Sequence, residues 1–327
     1  MKWMSGCKRI ICRWLLTFLS ILMSISLVSC SHKEETEKKE KLSVVTTIFP
    51  LYDWMIHLSQ DTDIEVEMLM KSGVDLHSFQ PSAEDIMKIK NCDLFVYVGG
   101  ESDEWVDEVL EEVWNKDQAS VNLLDLLKDL TKEEEIIEGM EAEESEEKEA
   151  DEHIWLSLNN AVMAMDRLSE VLQDLDPEHE DLYRHNAESY IAKLQDLDEK
   201  YREVIFASSV KTLLFADRFP FRYLCDDYGL DYYAAFNGCS AETEASFETI
   251  IFLANKVDEL SLDHIMITES SDGKIGKTIR NNTRTKDQQI LVLDSMQTTV
   301  AKDADKVSYL SIMENNLEVL QIALKEN

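Results

Sequence analysis

Residues 176–207 read DPEHEDLYRHNAESYIAKLQDLDEKYREVIFA. Asp176 offers an N-cap and Pro177 fills the first helical position, and neither Pro nor Gly recurs until Pro220. Leu182, Ala187, Tyr190, Leu194, Leu197, Tyr201 and Val204 recur at helical spacing. About thirty residues of helix span ~45 Å at 1.5 Å per residue, more than a crossover within one lobe requires. The stretch 177–208 is therefore expected to be a rigid connecting helix between two lobes.

What lies on either side supports two lobes. Residues 44–49, 64–69 and 94–98 are short, apolar and rich in β-branched or aromatic side chains, as buried parallel strands are. Helical stretches separate them, such as 82–90, which opens on Pro81-Ser82 with Glu84 and Asp85 in its first turn. A second set, 212–216, 232–236, 264–268 and 290–293, repeats this βα alternation. The expected fold is α/β, with an N-terminal lobe over 42–176 and a C-terminal lobe over 209–327. Only 9 Gly and 4 Pro speak against a sandwich of many short hairpins.

The first 29 residues carry Lys2, Lys8, Arg9 and Arg13, no acid, and an apolar run from Trp14 to Val28. That is the grammar of a signal peptide, too short to cross a bilayer comfortably. Residues 31–41 hold no large apolar side chain and read, with residue 30, as a flexible tether. The whole chain has 66 acids against 32 Lys plus Arg, a formal charge of −34 that becomes −38 once the four signal-peptide bases are removed. Such a surface excludes a duplex nucleic-acid partner and favours cations. With 44% hydrophobic residues the chain can still bury a core.

Residues 131–152 contain twelve acids and two lysines, and end directly at His153. A run of this kind repels itself and is expected to be a mobile acidic loop. Beyond the leader and Cys30 the cysteines are Cys92, Cys225 and Cys239, with no C-x-x-C spacing. A Cys225–Cys239 disulfide and buried free thiols are both compatible with that count. Among the histidines, His77 in Asp75-Leu76-His77-Ser78-Phe79-Gln80-Pro81 and His153 in Glu152-His153-Ile154-Trp155 sit at junctions where α/β folds place ligands. His57, His179, His185 and His264 fall inside helical or strand patterns and read as structural or surface residues. Neutral imidazoles amid carboxylates suit Zn²⁺ or Mn²⁺.

Leu27-Val28-Ser29-Cys30 resembles a bacterial lipobox, which implies lipidation at Cys30. Thr46-Thr47-Ile48-Phe49-Pro50-Leu51-Tyr52, the 75–82 stretch, His153-Ile154-Trp155-Leu156 with Asn159-Asn160-Ala161, Tyr183, Asn186, Tyr228-Gly229-Leu230, Glu269-Ser270-Ser271, Tyr309-Leu310 and Asn316-Leu317 resemble the binding lipoproteins of zinc and manganese ABC importers. The likeness covers nearly all of 42–324. It implies two α/β lobes joined by a long helix, one metal ion in the interlobe cleft, and ligands at His77, His153 and Asp294. The usual His or Glu before a Phe-x-Tyr element is replaced here by Arg218, ahead of Phe221-Arg222-Tyr223. A cation cannot ligate a cation. The adjacent Asp217 is expected to take that place, with Glu269 or water as alternatives, and Arg218 to pair with an acid such as Glu244 or Glu269. Zinc-type relatives often carry a His-rich, acid-rich loop before the second histidine; here the acids remain without the histidines.

The implied function is capture of a divalent metal at the outer face of the cell membrane and its delivery to an ABC permease. The protein is expected to act as a lipid-anchored monomer, not as an enzyme, with Zn²⁺ or Mn²⁺ as the transported ligand and zinc favoured by intrinsic affinity. A surface adhesin with a structural metal is one rival. A metallohydrolase is the other, although no His-Glu-x-x-His or Gly-x-Ser-x-Gly signature occurs.

Overall fold

The computed structural model describes residues 41–70, 75–113, 118–141, 149–239, 244–299 and 306–325. The leader, Cys30 and the tether up to residue 40 lie outside the described residues. Strands β1 (Ser43–Thr46), β2 (Glu65–Met68), β3 (Leu94–Tyr97) and β4 (Ala119–Asn122) form one all-parallel sheet in the order β2-β1-β3-β4. Strands β5 (Thr212–Arg218), β6 (Asp231–Phe236), β7 (His264–Thr268) and β8 (Gln289–Leu293) form a second in the order β6-β5-β7-β8. The two lobes thus repeat one doubly wound topology, which turns the carboxyl ends of the strands into a ligand-facing edge. Val45 stands opposite Glu67 and Phe95 in the first sheet, and Met266 opposite Phe215 and Leu291 in the second.

Helices α1 (Phe49–Leu58), α2 (Ala83–Asn91), α3 (Trp105–Val113) and the short α4 (Leu123–Leu126) serve the first sheet. The apolar run 44–49, expected as one strand, divides: β1 stops at Thr46, and Pro50 in the first turn starts α1. Strand β4 escapes a reading of apolar runs because its sequence, Ala-Ser-Val-Asn, is short, half polar and partly exposed at the sheet edge. Ser82 and Asp85 close a capping box at the start of α2.

Helix α5 (Leu158–Leu175) leads through a 3₁₀ turn at Pro177–His179 into α6 (Glu180–Ala207), a helix of 28 residues. The two-lobe α/β architecture with a long connecting helix is what forms. Its buried face is Tyr183, Ala187, Tyr190, Leu194, Leu197, Tyr201 and Ile205. Tyr183 replaces the expected Leu182, because a step of four to Ala187 keeps the stripe straight where a step of five does not, and at the far end Ile205 is buried while Val204 is half-buried beside it. The first half of α6 is tied to α1, with Asn186 Nδ2 donating to the Leu58 and Gln60 carbonyls at 2.9 Å and the Tyr190 hydroxyl to Asp53 at 2.9 Å. The second half meets the other lobe, whose helices are α7 (Arg222–Tyr228), α8 (Phe247–Leu260), α9 (Lys274–Asn282) and α10 (Tyr309–Ala323). There Tyr201 donates to the Met313 carbonyl at 2.6 Å, and Asp198 accepts from Tyr228 at 2.8 Å.

The acidic segment is held down at both described ends, unlike the free loop its charge predicts. Glu133 bridges Ala150, Asp151 N donates to the Lys132 carbonyl at 2.8 Å, and Glu141 N donates to the Ala235 carbonyl of β6 at 2.8 Å. Backbone pairing with the second lobe outweighs the mutual repulsion of side chains that still reach solvent. Residues 142–148 lie outside the described residues. Cys92, Cys225 and Cys239 are free thiols, so Cys225 and Cys239 do not pair.

Candidate metal centre

His77 sits past the carboxyl end of β2, on a 3₁₀ turn (Leu76–Ser78) that Asp75 caps by accepting from His77 N at 3.1 Å. Asp75 also receives the guanidinium of Arg218 from the end of β5, with Nη1 donating to Oδ1 at 3.2 Å and Nη2 to Oδ2. Burial alone would raise the Asp75 carboxyl, but Arg218 beside it holds it below the ordinary carboxylate range. Arg218 thus pairs with Asp75, across the lobes, rather than with Glu244 or Glu269. The bridge fixes the turn that carries His77.

His153 is fully buried at the start of the 3₁₀ turn Ile154–Leu156. The second lobe grips the chain around it. Tyr223 donates to the Asp151 carbonyl at 2.8 Å, Trp155 Nε1 to the Ser295 carbonyl at 3.0 Å, Tyr309 to the Trp155 carbonyl at 2.7 Å, and Ser157 to Asp227 at 2.6 Å.

The two imidazoles lie with ring centroids 5.4 Å apart. His153 Nδ1 is 2.9 Å from Asp151 Oδ1, and a carboxylate can only accept, so that nitrogen carries the proton and Nε2 offers a lone pair. His77 Nδ1 is 2.7 Å from Ser102 Oγ, in the turn that follows β3. The side-chain amide of Gln297 stands between the outer nitrogens, with Nε2 donating to His153 Nε2 and, at 3.3 Å, to His77 Nε2. Two lone pairs therefore converge on one donor, and the far side of each ring is anchored, the arrangement found around bound metals. Burial, with His153 close by, pushes His77 down to about 3, so its ring is neutral and able to ligate.

Cys239 completes the cluster from the turn after β6. Its Sγ and the ring nitrogens of His77 and His153 all lie within 4.8 Å of one another. Glu134 of the acidic segment fixes this turn, accepting from Cys239 N at 3.0 Å and from Asn237 Nδ2. Glycine is needed at 238, since a Cβ there would come within 2.9 Å of His153 Cε1 and 3.1 Å of the Phe219 carbonyl. Burial, then Glu152, Glu134 and Asp151, keep the free thiol well above its usual range.

Asp217 and Asp294 place no carboxylate oxygen in that group. Asp217 accepts from Thr268 Oγ1 at 2.8 Å, Thr268 N at 3.2 Å and Arg218 N at 2.9 Å. Asp294 accepts from Met296 N at 2.8 Å, and burial raises it. Glu269 holds the 295–297 loop, accepting from Ser295 N at 2.8 Å and Gln297 N at 3.1 Å; burial and then Asp294 raise it. His57, His179, His185 and His264 lie outside the cluster, His57 bound to the Asp53 carbonyl at 2.7 Å and His179 to Asp176 at 2.6 Å. Cys239 and Gln297 are the members that sequence reasoning missed. The one local signal was Gly238-Cys239 directly after a strand. Beside the cluster a cleft of about 450 Å³ opens, lined by His77, Ser102 and Cys239 and rimmed by Glu101, Glu104 and Glu108.

Comparison with known proteins places this geometry in context. The "Zinc-binding lipoprotein AdcA" of Streptococcus pneumoniae is 29% identical over 304 residues, 93% of this chain and 59% of that protein. The chain therefore spans about three-fifths of that relative's length. The "High-affinity zinc uptake system protein ZnuA" of Bacillus subtilis is 28% identical over 291 residues, 88% of this chain and 89% of its own length. The crystal structure of the Zn(II)-bound ZnuA-like domain of S. pneumoniae AdcA superposes with a TM-score of 0.70 at 26% identity, covering 88% of this chain and 100% of that domain. The family described as zinc-uptake complex component A, periplasmic, matches residues 44–323, and this chain belongs to it.

Proposed function

We propose that this chain captures a divalent transition metal, zinc before manganese, in the cleft between its lobes and hands it to the permease of an ABC importer. The observation that carries the reading is the convergence of His77 and His153, each anchored through Nδ1 and presenting Nε2 to a single point. The acidic rim and a mature charge of −38 favour cation approach. Asp217 and Asp294 enter this reading as charge around the site, since their carboxylates serve Thr268 and Met296. No covalent chemistry is involved; members of this family are binding proteins of transport systems.

The chain acts as a monomer, held at the outer face of the membrane by a lipid on Cys30. Relatives named as lipoproteins support the anchor. Among the described residues no helix is long and apolar enough to cross a membrane.

The test is metal content. Full chain purified without added metal should carry up to one equivalent of zinc, and a competition titration should rank Zn²⁺ above Mn²⁺. Absence of zinc in the protein and of any saturable uptake would refute the reading.

A further inference from the structure

Two neutral imidazoles and a neutral amide bring no charge to a buried dication, and such a site is costly without an anionic ligand. The carboxylates expected to supply it place no oxygen in the cluster: Asp217 reaches Thr268 and Asp294 reaches Met296 N. Arg218 is spent on Asp75. Among the described residues, the ligand atom that joins both histidines within 4.8 Å is Cys239 Sγ. A buried carboxyl group lies next to the cluster, on the Nδ1 side of His77. Glu152 is wholly buried beside the cluster, Oε1 accepting from Ser102 N at 2.7 Å, while Oε2 has no hydrogen-bond partner and faces His77 Nδ1 at 4.0 Å.

We infer that Cys239 is the third protein ligand, its thiolate joining Nε2 of His77 and of His153 in an N₂S site selective for thiophilic divalent ions over manganese. This rests on the metal-capture reading and names the class of ion. The Cys239 turn is built for it: Gly238 lets the backbone close on His153, and Glu134 pins Cys239 N from the other side. On binding, the thiol proton leaves to solvent as the S–metal bond forms. Gln297, whose side-chain amide already lies against both imidazoles, would be the nearest source of a fourth, oxygen donor once it turns and makes room for the ion. Thiolate suits zinc, cadmium and cobalt(II), whereas manganese prefers oxygen donors.

Cobalt(II) reports the sulfur directly. Full chain in detergent, stripped and loaded with Co²⁺, should show a near-ultraviolet thiolate-to-metal charge-transfer band. Cys239→Ala should lose that band, weaken zinc binding by at least about a hundredfold, the upper end of what losing a mere outer-shell partner costs, and shrink the zinc-over-manganese preference accordingly. Cadmium should follow zinc. A cobalt-loaded parent without the band, or a Cys239→Ala protein with parental zinc-over-manganese preference, overturns the thiolate and leaves capture by the histidines intact. Failure of the parent to take up zinc or cobalt overturns the capture reading itself.

Discussion

Asp103 shows what a single buried carboxyl contributes here. It is 3% exposed, with Oδ2 accepting from Val98 N at 2.8 Å and Gly99 N at 3.1 Å and Oδ1 without a partner. Burial pushes it up to about 6 despite those two amides. A folded-state value above the unfolded one gives stability that is complete below about pH 4 and lost as pH rises through 6, on the order of 3 kcal/mol. Asp103→Asn cannot ionise, so in urea titrations its stability relative to the parent should improve between pH 4.5 and 7.5; a gap constant across that interval contradicts the assignment. Legibility at this scale followed local context. His77 and His153 stood out because each lies at a junction amid distinctive neighbours, whereas Cys239 meets them only through the folding of β6 against the other lobe. The Asp75–Arg218 bridge was hidden for the same reason, its partners lying 143 residues apart.

At the scale of elements, α6 joins the lobes through side chains that sequence periodicity revealed almost in phase. Tyr201→Phe removes a buried hydrogen bond to the Met313 carbonyl, which keeps its own helical partner, and should cost about 0.5–1.5 kcal/mol in denaturant unfolding, whereas the exposed His185→Ala should stay within about 0.5 kcal/mol of the parent. Equal effects of the two changes would contradict the role given to the helix. The acidic segment is where the pattern misled, since charge density predicts solvation but not the backbone pairing of Glu141 with Ala235. Because Glu134 holds the Asn237–Cys239 turn, Glu134→Ala should weaken zinc binding measurably in calorimetric titration while the far-ultraviolet circular dichroism stays parental. Unchanged zinc affinity would show that the turn is held without it. Strand β4 was illegible because an edge strand held by its neighbour needs no apolar run of its own.

For the whole molecule, the strong negative charge would make the proposed cation capture a steered encounter, so zinc association rates should fall steeply as salt rises while the equilibrium site changes far less. Cys30→Ala should release the protein from the membrane fraction and abolish fatty-acid labelling; persistent labelling would contradict the anchor. The two-lobe architecture could be read from alternating patterns around one long helix, but not how tightly the segment 151–160 is stitched to the second lobe. That stitching would make the proposed metal binding a property of the folded whole. The most direct measurement is thermal unfolding of the full chain with and without Zn²⁺, for the parent, His77→Ala and His153→Ala. A ligand that binds only the folded state adds RT ln(1 + [L]/Kd), about 4 kcal/mol at a thousandfold excess over Kd. The account predicts a clear rise in the parent's melting temperature that either histidine substitution largely removes. A full rise in both variants would contradict it, because the metal would then be held somewhere other than between His77 and His153.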